Sequence, residues 1–221
     1  MCISAPVSFV ASAVLFGAGV YALKQVKEKK QYLFACLPLL FSVQQFAEGI
    51  IWLSASHDAL ASLQQPFIYV FLSFAEVIWP AAVPISIMLL EKQSLRKNLL
   101  ISLSSLGLVF SAYIVYCLIY YEFGIELRSN HIFYTQSFPD TFKTVCGVVY
   151  VVNCAVSPML SSHKPVRLLG LVVLASFLVT EWLFSDVLIS VWCLFAAMGS
   201  VTIVWTLMQL NGQRNIEVIS K

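Results

Sequence analysis

Residues 38–53 read PLLFSVQQFAEGIIWL, and the architecture of the whole chain turns on whether that run crosses a membrane. It starts and ends like part of a membrane span. Inside it, however, stands Glu48, with Gln44 and Gln45 one turn earlier. A carboxylate in an apolar helix needs a reason, and the surrounding sequence supplies part of one.

The chain has 221 residues, of which 60% are hydrophobic and 11% charged, and its mean hydropathy is +0.86. A soluble domain is usually about one quarter charged. The apolar residues come in long runs, and a bilayer core asks for roughly 20 apolar residues per helix. Seven runs meet or approach that length, at 6–23, 32–54, 66–90, 98–120, 142–160, 166–184 and 187–210. The expected fold is all-α: a polytopic bundle of seven transmembrane helices forming a single domain over residues 1–221. A cleavable signal peptide carries its positive charge before the apolar core. Here Lys24, Lys27, Lys29 and Lys30 come after it, so the first run is expected to be a true span.

Charge orients the bundle. If seven helices alternate, the loops 24–31, 91–98 and 161–167 and the C-terminal tail share one side, with eleven of the thirteen Lys and Arg residues. The other side holds Arg128 and Lys143 with five acids: Asp58, Glu122, Glu126, Asp140 and Asp186. Basic residues mark the cytoplasmic face, so the N-terminus is expected outside and the C-terminus inside. The basic loops suit an anionic inner leaflet, making the lipid bilayer the expected partner and giving no argument for nucleic acid. The longest connection, 121–141 on the outer side, is expected to be a cap or tether over the bundle rather than a binding lid. The 185–187 turn is expected to be tight. Ser4, Ser8 and Ser12, with Gly17 and Gly19, form a small-residue stripe of the kind that lets membrane helices pack closely.

Three spans carry a glutamate: Glu48 in the second, Glu76 in the third and Glu181 in the sixth. Ionisable residues at such depths cost a few kcal/mol and usually face a bundle interior or cavity. At 1.5 Å per residue, the three lie about 3 to 9 Å on the outer side of the midplane. Alternating helix direction does not force that agreement, and it points to one polar pocket opening outward. Gln44 and Trp52 lie four residues either side of Glu48, on one helix face. Gln44 or Gln45 can hydrogen-bond the carboxyl, and Gly49 permits close helix approach. Pro80 follows Glu76 by four residues and removes the donor for the Glu76 carbonyl. Trp79 lies near the same face. Asn153 in the fifth span is placed as a floor, and Asp58 and Asp186 at the mouth. The expected ligand-binding set is therefore Glu48, Glu76, Glu181, Gln44, Gln45, Asn153, Trp52 and Trp79. Crowded carboxyls repel, so at least one is expected to hold a proton at neutral pH.

The competing reading makes each glutamate a protonated group bonded to a neighbouring helix, with the tryptophans as interfacial or packing residues. Other chemistries fare worse. A retinal Schiff base needs a lysine in the seventh span, and 187–210 has none. A ceramidase-like zinc hydrolase needs several His ligands, whereas the chain has three His and no HxxxH spacing. Six cysteines without a CxxC pair read as small core hydrophobes. No nucleophile or oxyanion site is identifiable, so no catalytic residue, metal or cofactor is assigned.

CISAPVSF (residues 2–9), PLLFSVQQFAEGIIWL and VWCLFAA (191–197) resemble an uncharacterised family of small bacterial multi-pass membrane proteins. In its pattern a Gln-Gln pair precedes Glu-Gly and then Trp, here Gln44, Gln45, Glu48, Gly49 and Trp52. The resemblance implies a prokaryotic inner-membrane protein and brings no activity. The expected function is therefore argued from residues: binding or transport of a proton, a cation or a small polar or amine ligand that enters from the outside. The alternatives are a sensor or scaffold working with a membrane-protein partner and, more remotely, an intramembrane enzyme.

Overall fold

The computed structural model describes residues 4–128, 131–137, 140–184, 192 and 199–219. The first helix, α1 (Ala5–Lys24), is followed by a short 3-10 turn, Lys29–Gln31, and by α2 (Tyr32–Ser56). A third long helix has three parts: α3 (Ala61–Leu72), a π-helical segment (Ser73–Ile78) and α4 (Trp79–Leu90). Next come α5 (Ser94–Tyr120) and two strands, β1 (Phe123–Arg128) and β2 (His131–Gln136). After them α6 (Asp140–Val151) runs into a second π segment (Val152–Val156) and a last turn, Ser157–Met159. The final described helices are α7 (Lys164–Phe184) and α8 (Ser200–Ile219).

Five helices are long and apolar enough to cross a membrane: Ala5–Lys24, Lys29–Ser56, Asp58–Leu90, Ser94–Tyr120 and Lys164–Leu183. The fifth apolar run falls on a shorter stretch, Thr144–Met159. The seventh is described at Trp192 and from Gly199 onward; its other residues, the 185–187 turn and Asp186 lie outside the described residues. Large apolar side chains face outward, and several polar ones are sealed inside. Val10, Val14, Val109, Ile119, Val148, Leu178 and Val201 are exposed, while Ser8, Gln44, Gln45, Glu48 and Asn153 are fully buried. Such an apolar exterior is the surface a lipid environment covers and water penalises.

The all-α expectation needs one correction. Residues 123–136 form an antiparallel hairpin, with Phe123 opposite Gln136 and Arg128 opposite His131. Alternation explains it: Phe123, Ile132 and Tyr134 are buried and seal one end of the bundle. Tyr134 stacks on Phe71 of α3 with centroids 4.7 Å apart, and Gln65 Nε2 donates to the Phe123 carbonyl at 2.9 Å. A lone two-stranded hairpin is marginal in water, so this one owes its order to packing on α3. It is a cap, as the loop's length suggested, but a folded one.

The opposite end carries the basic turns and is fastened by polar groups. Glu91, between α4 and α5, accepts bonds from the Lys92 and Gln93 amides at 3.0 Å each. It also accepts from the Ser162 amide at 2.7 Å and the Ser162 hydroxyl at 2.8 Å. Arg96 donates to the carbonyls of Leu160 and Ser161 at 2.9 and 3.0 Å. Asn211 of α8 donates to the Gln25 carbonyl at 2.5 Å.

Small residues set the spacing between helices. Ser12 and Ser42 exchange hydroxyl-to-carbonyl bonds of 2.8 Å each way, which fixes α1 antiparallel to α2. Ser8, Ser12 and Gly19 lie buried on that seam, whereas Gly17 faces open space. A Cβ on Gly49 would meet the Phe9 ring at 2.7 to 2.9 Å, so the glycine is what admits the ring. On α5, Gly107 is pressed against the Pro80 carbonyl in the same way.

Candidate functional site

Glu48 is completely buried on α2, and Gln45 Nε2 donates to its Oε2 at 3.2 Å. The neighbouring Gln44 reaches across to α4. Its Oε1 accepts from Trp79 Nε1 at 2.6 Å, and the Trp79 ring stacks on Phe41 with centroids 3.9 Å apart. The two adjacent glutamines therefore serve different helices. One holds the carboxyl and the other ties α2 to α4.

The Gln44–Trp79 bond sets a level between antiparallel helices. Glu48 is four residues toward the hairpin end on α2, and Glu76 is three residues toward the same end on the other helix. At 1.5 Å per residue these displacements are about 6 and 4.5 Å, so the two carboxyl-bearing residues occupy nearly the same level. Glu76 is partly buried and accepts a hydrogen bond from Gln136 Nε2 of β2. The cap thus reaches directly into the layer that holds the carboxyls.

Both π segments coincide with polar residues chosen from the sequence. Around Glu76, the Trp79 amide bonds five residues back to Phe74, and Pro80 has no amide to offer. The donor an α-helix would give Ala75 is thus diverted, and the donor for Glu76 is missing. Ser111 of α5 donates to the next carbonyl, that of Val77, at 2.6 Å. Around Asn153, the Ser157 amide bonds back to Val152, and Pro158 again offers no donor. The Ser157 hydroxyl then donates to the Asn153 carbonyl in place of the lost amide. π turns recur at functional sites because they loosen the helix ladder where a side chain must be re-aimed.

Of the eight side chains expected to bind, Gln44, Gln45, Glu48 and Trp52 form one buried stripe on α2, with Trp79 bonded across to it. Glu76 adjoins through the hairpin contact. Asn153 is fully buried and donates to the Val149 carbonyl at 3.1 Å, in a π segment packed on α4, α5 and α7. Glu181 sits on an exposed face of α7, beside Trp182 at 83% exposure. Its rotation about the helix axis was not legible in the sequence. Asp58 lies just beyond α2, at its hairpin end. Gln136 and Ser8 join the site without having been singled out as ligand groups. Gln136 is 60 positions from its partner, too far for local spacing to pair them.

Unsatisfied polar atoms mark this layer. Ser8 Oγ, Gln44 Nε2, Gln45 Oε1 and Trp52 Nε1 are buried without a hydrogen-bond partner, and Asn153 Oδ1 is likewise buried and unmatched. Native interiors leave few such atoms, and each asks for a bound water, ion or ligand. Among the described residues, no three His, Cys, Asp or Glu side chains gather as a metal site.

Toward the basic end the chemistry changes. A cavity of about 50 Å³ is lined by Phe34, Phe41, Trp79, Tyr150, Cys154 and Trp192, among other residues. Both tryptophans turn their N–H edges into the protein. Trp79 bonds Gln44, and Trp192 reaches the Val173 carbonyl at 3.3 Å and Ser176 Oγ at 3.2 Å. Their ring faces are left to line an apolar space. Trp79 belongs to both regions and forms the partition between them.

The chain matches the model of a family of unknown function (DUF6629) over residues 1–216 and belongs to that family. No curated protein and no solved structure matches it.

Proposed function

We propose that this family member is a seven-span inner-membrane protein of prokaryotic type. Its hairpin faces outward, and it binds a proton, cation or small polar ligand at the buried layer around Glu48. The charge pattern supports the orientation, because the basic loops gather opposite the hairpin and basic loops stay in the cytoplasm. One observation carries the binding reading. A carboxyl with no solvent exposure stands among polar atoms that the protein itself does not satisfy. A purely structural glutamate would be expected to use up the hydrogen-bonding capacity around it.

Glu48 supplies the charge, Gln45 orients it, and Gln44 holds Trp79 as the floor. Glu76, tethered to Gln136, sits at the entry beneath the cap. Transport and sensing are separated by uptake into liposomes: binding with flux supports a transporter, and binding without flux a sensor working through a partner protein. Site occupancy is tested by titrating candidate cations and amines in weakly buffered detergent. A ligand that displaces protons from the carboxyls acidifies the bath. The site reading fails if Glu48→Gln changes neither ligand binding nor proton uptake.

A further inference from the structure

The unsatisfied atoms around Glu48 are not all of one kind. Gln44 Nε2 and Trp52 Nε1 are donors, Gln45 Oε1 is an acceptor, and Ser8 Oγ can act as either. A site for a hard cation such as Ca²⁺ or Mg²⁺ is built of oxygens. Here two of the unmatched atoms are N–H donors, carried on α2 one turn to either side of Glu48. The complement of this set is a molecule that both gives and accepts hydrogen bonds, and the smallest such molecule is water. We infer that the layer holds ordered water which carries protons to and from Glu48 from the hairpin end, and that the proton itself is the ligand.

This inference rests on the binding reading above and narrows it. Geometry supports the continuity of the line. Gln44, Glu48 and Trp52 are spaced by four residues and share one face of α2, so the orphan donors flank the carboxyl one turn to either side. The Ser12–Ser42 exchange sets the α1–α2 register and places Ser8 one turn nearer the hairpin, level with the Gln45–Phe46 turn. The line stops toward the basic end. There Trp79 and Phe41 stack, and the space beyond them has apolar walls. Apolar cavities stay dry, so protons reach Glu48 from one side in this conformation.

The step is a simple protonation. An excess proton carried along the water as hydronium passes to a Glu48 oxygen: an O–H bond of the hydronium breaks and leaves water, an O–H bond to the carboxylate forms, the carboxylate becomes a carboxylic acid, and release is the reverse. The ionisable groups on elements packed near this level are Glu76 in the π segment and Tyr69 and Tyr134 toward the hairpin, with His57 and Asp58 beyond the end of α2. Near it α1 contributes Ser8 and Ser12, and no ionisable side chain is described on α4 or on α8 up to Leu210.

The test counts protons. The full chain in nanodiscs is stepped through pH in weak buffer, for the native sequence, Glu48→Gln and Trp52→Phe, with and without sodium, potassium, magnesium or methylammonium salts. The expected result is one proton fewer bound by Glu48→Gln, and a native curve that moves less than twofold in proton affinity with any of these cations. Trp52→Phe removes a donor that favours the ionised carboxyl, so it is expected to bind the proton at least twofold more tightly. Its N–H has no protein partner to lose, so it should fold even if Glu48→Gln does not. If a cation expels the proton from the native chain, the site stands and the proton-only assignment falls. If Trp52→Phe titrates like the native chain, the water line falls. If Glu48→Gln also matches the native chain, the binding reading falls with it.

Discussion

Glu91 and Glu48 are both buried carboxyls, 4% and 0% exposed, at opposite ends of the bundle. Glu91 is saturated. Four donors from two loops converge on it, and the result is a clasp between the α4–α5 turn and the turn before α7. Glu48 has Gln45 beside it and, around it, donors and acceptors that the chain leaves unmatched. The contrast teaches that burial of a charge does not by itself mark a functional site. What separates the two is whether the surroundings are complete. Fully matched surroundings hold the fold together, and unmatched polar atoms nearby leave room for a ligand.

The largest effect is expected where the shell is complete. Glu91→Ala strands four donors and should cost about 2–4 kcal/mol of stability, read by denaturant or thermal unfolding in detergent, with proton uptake at Glu48 unchanged. This clasp also has a pH signature. Burial pushes the Glu91 carboxyl up, but the donors of Gln93, Ser162 and Lys92 outweigh it and hold it below the ordinary carboxylate range. A group with a lowered folded value contributes fully above its unfolded value and loses that contribution as pH falls through the folded one. Acid should therefore loosen the clasp, alkali should not, and Glu91→Gln should remove that part of the acid sensitivity.

Packing changes come next. Gly107→Ala puts a methyl group into the Pro80 carbonyl and is expected to cost about 1–3 kcal/mol. Gly17→Ala, facing open space, should be neutral by the same unfolding measurement. Gln44→Leu leaves the Trp79 N–H buried without an acceptor, for about 1–3 kcal/mol. It should also open the partition between the polar layer and the apolar cavity, seen as faster alkylation of Cys154. Glu48→Gln is expected to cost about 1 kcal/mol, since it changes one buried hydrogen-bonding group. Gln keeps an acceptor for Gln45 while proton uptake disappears. Equal destabilisation by Glu48→Ala and Glu91→Ala, with no change in uptake, would erase the distinction between the two carboxyls.

The apolar runs were legible because membrane length and hydropathy are local properties, and each run meets a helix wherever it is described. The Ser8–Ser12 stripe, Gly49 and the Gln45–Glu48 pair were legible for the same reason, since they depend on helical spacing. Pro80 announced a missing donor, but the π turn that spreads the defect to Ala75, and the Ser111 hydroxyl of α5 that bonds the next carbonyl, were not legible. The hairpin was hidden in a loop reading, although Ile132 and Tyr134 already alternate. Glu181 shows the limit most clearly. Counting residues gives a side chain's position along its helix, while its direction about the helix axis depends on neighbours that sequence does not locate.

The most direct test of Glu48 as a functional carboxyl is a solvent-resolving map of the protein in lipid, inspected between α1 and α2. Ordered water density bridging Gln44 Nε2, Gln45 Oε1, Trp52 Nε1 and Ser8 Oγ next to Glu48 is the predicted result. A dry, closed layer in which these atoms pair with one another would contradict it and make Glu48 a second structural carboxyl like Glu91.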